Sequence, residues 1–218
     1  RSFSLIQRDC ARSQTDYCAV QYRRPPLVIR IAFMATAATL STPTATLDLA
    51  ACCSALSAAE RVLQLAKVSV AMKSKAAGRG DAAQHAMHGL AWLATYVEAL
   101  RQMLGWAKRL DEEGRLGEME RLLVGAAYGE YLAQIGGGIP MSQGEIVRPG
   151  QLGIAVADVA RFLADPAVAG LIETGFSEDV KARIAALIAD QPAATTFGET
   201  GMDETLSAMR EEMRKFAV

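Results

Sequence analysis

Asp81, His85 and His88 are the residues whose types and spacing first suggest chemistry. At i, i+4 and i+7 they would share one face of a helix, an arrangement that can hold a metal ion. A metal site needs a further ligand, and the two histidines are all the chain has, so packed or solvated side chains are the plainer reading. Gly136-Gly137-Gly138 could bring backbone N–H groups close to a phosphate. Neither a Walker-type GxxxxGK loop nor a strand followed by GxGxxG accompanies it, and a helix stop before Ile139-Pro140 accounts for the glycines. Glu98, Glu130 and Glu145 could move protons, but nothing in their spacing pairs any two of them. No serine or cysteine sits in a recognisable nucleophile turn with a histidine base. Trp92, Tyr96 and Trp106 share one helical stripe without interleaved bases, which suits a core better than a base-stacking surface. The residues by themselves therefore assign no catalytic, cofactor-binding or metal-binding position.

The elements that would carry these residues read as helices. From Leu47, the apolar positions Leu49, Cys52, Cys53, Leu56, Ala59, Leu63, Ala66 and Val70 recur at three- and four-residue steps, predicting a helix to about Lys75. Gly78 and Gly80 punctuate it, and Asp81 can cap the next segment. Between Gln84 and Leu110 two stripes coexist. Leu93, Val97, Leu100, Leu104 and Ala107 form one; Trp92, Tyr96, Ala99, Met103, Trp106 and Leu110 form the other. Such a helix is expected to be the central member of a bundle, with Thr95, Glu98, Arg101 and Lys108 on its wetter side. A third helix, about Gly117 to Ile135, turns Met119, Leu122, Leu123 and Ala126 inward. Its Gly125, Gly129 and Ala133 would let a neighbouring backbone come close. Shorter helices are expected at 155–164, 167–174 and 178–189, with Pro166 at a helix start and Ser177 as an N-cap. Gln191 to Met202 reads as a linker. From Asp203 a last amphipathic helix carries the stripe Leu206, Met209, Met213 and Phe216. No alternating segment is long enough to predict a sheet, and no repeat of 20–50 residues is visible.

Composition agrees. The 218 residues are 51% hydrophobic, hold 40 alanines and are only 6% aromatic, which favours closely packed helices over a β-sandwich. A net charge of −1 argues against a dedicated nucleic-acid binder. Four cysteines are too few for a disulfide framework and suit a reduced, cytoplasmic protein. The uncharged stretch Ile31–Leu47 is broken by Pro43 and rich in threonine, unlike a membrane helix. Charge is unevenly spread. Up to Phe33, before the first methionine at Met34, six arginines face two aspartates, a net +4, whereas the remainder sets 17 bases against 22 acids, a net −5. Residues 1–33 are therefore expected to be a disordered or irregular, non-native or upstream-translated arm, with a targeting peptide or an ordered arm as the alternatives. The rest divides into a helical accessory domain (34–190), a linker (191–202) and a separate helix (203–218).

Two longer motifs carry a resemblance. His88-Gly-Leu-Ala-Trp-Leu-Ala-Thr-Tyr-Val-Glu-Ala-Leu-Arg-Gln-Met103 and Gly129-Glu-Tyr-Leu-Ala-Gln-Ile-Gly-Gly-Gly-Ile-Pro-Met-Ser-Gln-Gly-Glu-Ile-Val-Arg-Pro149 resemble the extra N-terminal region of bacterial methylsuccinyl-CoA dehydrogenases, flavin enzymes of the acyl-CoA dehydrogenase family. Phe197 to Phe216 is similar to the join between that extension and the first helix of the dehydrogenase proper, so the likeness runs from about Leu49 to Val218. A weaker likeness links the Trp92–Leu110 helix and Gln134-Ile-Gly-Gly-Gly-Ile-Pro to the C-terminal helical bundle of ordinary acyl-CoA dehydrogenases, as though the extension were a degenerate copy of it.

The resemblance implies an all-α bundle truncated before the catalytic body. In that family a glutamate takes the α-proton of the acyl-CoA while FAD accepts hydride from the β-carbon, and these groups follow the first helix. No family catalytic residue maps onto a position here. The resemblance thus implies FAD and an acyl-CoA substrate for a full-length parent, and no cofactor in this chain. The implied partners are the missing catalytic domain and neighbouring subunits of a homo-oligomer, with no nucleic acid and no membrane. The competing reading is a stand-alone helical interaction domain without enzymatic activity; a metal or nucleotide binder is a third, resting on the histidines and glycines above. Intact-mass measurement of the native protein should place its N-terminus at Met34 or later, and an N-terminus upstream of Met34 would show that the basic arm belongs to it.

Overall fold

The computed structural model describes residues 47–78, 83–192, 194 and 197–216. Within them lie seven α-helices: α1 (Leu49–Ala77), α2 (Gln84–Glu112), α3 (Glu118–Gly137), α4 (Val156–Leu163), α5 (Pro166–Gly175), α6 (Glu178–Ala189) and α7 (Glu204–Phe216). Between α3 and α4 come two-residue strands, β1 (Ile139–Pro140) and β2 (Ile146–Val147), and a 3-10 turn at Pro149–Leu152. The all-α expectation holds, with this short antiparallel hairpin as an addition. Two residues per strand are too few to leave an alternating pattern in the sequence.

Local chemistry sets the helix starts. Asp48 Oδ1 accepts the Ala50 N–H at 2.8 Å, Asp165 Oδ1 accepts that of Ala167 at 3.0 Å, and Ser177 Oγ accepts that of Val180 at 3.3 Å. Pro166, with no N–H to leave unpaired, opens α5. The expected cap Asp81 lies outside the described residues, and Ala83 precedes α2 with no side-chain cap. The arm 1–33 and Met34 also lie outside them.

The apolar stripes of α1 and α2 form the core as their spacing predicts. Cys52, Leu56, Ala59, Leu63, Ala66 and Val70 of α1 are buried, as are Leu93, Val97, Leu100, Leu104 and Ala107 of α2. Fully burying one such Leu or Val contributes about 1.5–3 kcal/mol. Thr95, Glu98, Arg101 and Lys108 are exposed, on the side their polarity predicts. By length and hydropathy α1 could cross a membrane, but its apolar stripe is part of this core.

The central helix is α3, a correction to the expectation for α2. No residue from Glu118 to Gly136 is exposed, and α3 packs on α1, α2, α4, α5 and α6. The reason is girth. Gly125, Ala126, Ala127, Gly129, Ala133 and Gly136 keep α3 thin enough for neighbours to approach from several sides, although each glycine weakens a helix by about 1 kcal/mol relative to alanine. The closest approach is to α5. A Cβ on Gly175 would lie 2.2 Å from the Gly125 carbonyl oxygen, and one on Gly129 would lie 2.8 Å from that of Leu171. At Gly136 a Cβ would meet Leu163 of α4 at 2.5 Å. On the other flank, Tyr128, fully buried, donates its hydroxyl to the Leu100 carbonyl of α2 at 2.9 Å. Helix α6 has no buried residue and docks through Arg183, which grips both oxygens of Glu118 at 2.7 and 2.8 Å.

The hairpin closes one end of the α2–α3 pair. Val147 of β2 sits against Gly89, where a Cβ would stand 2.5 Å from Val147 Cγ2. Ile139, Met141 and Val147 are buried. Because the obstacle to a Gly175 side chain is backbone, Gly175→Ala should cost about 1–3 kcal/mol of stability. Gly125 has only ordinary contacts at 3.9 Å, so Gly125→Ala should be neutral or stabilising by up to about 1 kcal/mol. Urea unfolding midpoints of the two variants check this.

Candidate functional site

The described residues that the sequence marks for chemistry meet in separate pairs, His85 with Glu145 and His88 with Trp92, and not at one point. His85 and His88 start α2 but take different partners. His85 Nδ1 lies 3.0 Å from Glu145 Oε1 on the hairpin loop, and His88 Nε2 accepts the Trp92 indole N–H at 3.0 Å. Asp81 is outside the described residues, and among those described no three His, Cys, Asp or Glu side chains gather around a point. His85–Glu145 is a strut between hairpin and helix.

The glycine run ends α3. The Gly138 N–H is already donated, to the Gln134 carbonyl at 2.7 Å, and Gly138 adopts φ 147°, which glycine tolerates. A phosphate cradle wants the positive N-terminal end of a helix, whereas these glycines stand at the negative C-terminal end. The expected helix stop is what the structure shows.

The three glutamates stay apart. Glu98 is exposed on α2, its carboxyl held below the usual range by the Gln102 amide and then by Arg101. Glu145 is engaged by His85. Glu130 accepts from the Gln134 amide, which in turn accepts the Tyr96 hydroxyl at 2.6 Å. Tyr96 stacks on Tyr131, with ring centroids 4.3 Å apart at 18°, and meets Trp92 edge-on at 6.4 Å. Sequence reading places Trp92 and Tyr96 in the core but misses this zipper, because Tyr131, Gln134 and Glu130 come from another helix. Their i, i+3 and i, i+4 spacing on α3 was the available signal. Burial first, then Tyr131 and Glu130, raise the Tyr96 phenol above its ordinary value. It therefore stays protonated near neutrality, as a donor and not a base.

An open cleft of about 1300 Å³ separates the middle of α1 from α4. Its cations are mostly matched by neighbouring acids: Arg61 with Asp165 at 3.5 Å, Arg101 with Glu60 at 2.7 Å and Arg161 with Asp158 at 2.6 Å. Such a lining presents little net field to a charged ligand.

At the chain's other end, the apolar face of α7 is open. Leu206, Met209, Met213 and Phe216 are 48%, 57%, 72% and 88% exposed. At three- and four-residue steps they leave one side of the helix apolar and uncovered. The expected N-cap holds, Asp203 Oδ1 accepting the Leu206 N–H at 2.8 Å. The chain is similar to (2S)-methylsuccinyl-CoA dehydrogenase. The relative, from Cereibacter sphaeroides, is 50% identical over 134 residues, which is 62% of this chain but 24% of the relative's length. The resemblance read from the two motifs is thus borne out over most of the chain. No family model matches.

Two adjacent thiols differ in burial. Cys52 is buried, and burial, with Asp48 and Cys53 adding to it, pushes its thiol from the ordinary value near 9 up to about 12. Cys53 is partly exposed, 3.1 Å from Lys108 Nζ. In a chain carrying Cys10→Ser and Cys18→Ser, a thiol reagent should label the accessible Cys53 alone, with Cys52 reacting only as the bundle opens. Because its pKa is raised on folding, the stability tied to protonated Cys52 is whole below about pH 9 and lost as pH climbs toward 12. Reaction of both thiols at equal rates would contradict this packing.

Proposed function

We propose that this chain is the N-terminal accessory region of an FAD-dependent acyl-CoA dehydrogenase acting on a branched acyl-CoA such as methylsuccinyl-CoA. The carrying observation is the 50% identity over 134 residues to a dehydrogenase that is about four times as long as the matched stretch. One structural feature supports it. The exposed α7 stripe is an apolar face of the kind that the first helix of a following domain would bury against its own body.

On this reading FAD, the α-proton base and the acyl-CoA site belong to the rest of such an enzyme. Residues 34–190 form the accessory bundle, 191–202 the connection and 203–218 the first helix of the dehydrogenase domain. The parent is a cytoplasmic homo-oligomer. The competing reading, a stand-alone helical interaction domain, also uses the α7 face but leaves the identity to a dehydrogenase without a role.

Two measurements separate them. Mixed with FAD and methylsuccinyl-CoA, the chain alone should give no flavin bleaching above the protein-free blank; turnover would refute its accessory role. Coexpressed with the Cereibacter sphaeroides relative lacking the matched stretch, it should co-purify, and Met213→Asp should weaken that capture at least about tenfold. Absence of capture would favour the stand-alone domain.

A further inference from the structure

Phe197 to Met202 reads as a linker in the sequence, yet it is pinned to the bundle at several points. The first is Glu120, in the first turn of α3 and 6% exposed. A carboxylate removed from water must find donors. Gly117, with no side chain, leaves it room, since a Cβ there would stand 2.6 Å from Glu120 Oε2. The other oxygen accepts the backbone N–H of Glu199. Arg115 adds a second pin, holding Glu199 Oε1 at 2.7 Å from one guanidinium nitrogen and Glu113 at 2.6 Å from another. The third is steric: Gly201, at φ 68°, lays its backbone on Trp106, where a Cβ would sit 3.2 Å from the indole. Asp203 then starts α7 at once.

We infer that Phe197–Met202 is a fixed joint locked by the buried Glu120 carboxylate, which sets the direction in which α7 leaves the bundle. A flexible tether would need none of these pins. The joint holds the α7 apolar face in one orientation toward whatever packs on it, and this stands whether or not that partner is a dehydrogenase body.

Hydrogen exchange on the full chain, read over Glu199–Met202, tests it. The Glu199 amide should exchange at least about tenfold more slowly than in an unstructured peptide. Glu120→Ala should remove that protection while α1 and α2 keep theirs, and Arg115→Ala should reduce it less, since that pair is more exposed. An unprotected Glu199 amide in the unaltered chain, or the same protection in a folded Glu120→Ala variant, would overturn the inference. Should Glu120→Ala fail to fold, Gly201→Ala serves instead, because that position is exposed and strained by any side chain. In a Trp92→Phe background it should speed exchange across 199–202 and red-shift Trp106 emission. Unchanged exchange and emission would overturn the joint.

Discussion

The crossing of α3 and α5, where backbone meets backbone at Gly125, Gly129 and Gly175, is the contact on which the rest of the bundle is built. Helix packing normally keeps axes about 8–10 Å apart because side chains intervene; with none at Gly129 and Gly175, α3 can serve as a thin axle. Helix α5 then lies close enough to reach α1 as well, and α4 fits over Gly136 through Leu163. On the far flank the phenol of Tyr128 reaches the backbone of α2. Dispersion gained along close contacts of this kind offsets the helix propensity that the glycines forgo.

Most of this framework was legible in the sequence because helices α1 and α2 each have one wet face, and a wet face makes the three- to four-residue rhythm visible. The rhythm misleads for the middle of the bundle. Helix α2 shows two apolar stripes and looks central, while α3, with apolar and small residues on every side, shows little contrast and looks ordinary. Its Gly125–Gly129 spacing did announce a close approach, but not that α5 would supply the partner, since Gly175 is fifty residues away from Gly125 and ends its own helix.

The chemistry was legible mainly as a lack of convergence. His85, His88 and the three glutamates are spoken for by Glu145, Trp92, Gln134, Gln102 and Arg101, each pair joining a helix to the hairpin or to its own next turn. Contacts such as Tyr96–Gln134 join residues thirty-eight positions apart, and nothing local in the sequence encodes them. The link to a dehydrogenase came from long motifs, which preserve identity where single side chains carry no distinctive chemistry.

Helix α3 has, in effect, no free end. Its positive terminus lies under the Glu120 carboxylate and its negative terminus is folded into the Gly138 turn. The element most enclosed by protein therefore offers no pole to a charged ligand, and what it can pass on is position. A disturbance at the Glu199 end and one at the hairpin end therefore meet the same twenty-residue rod.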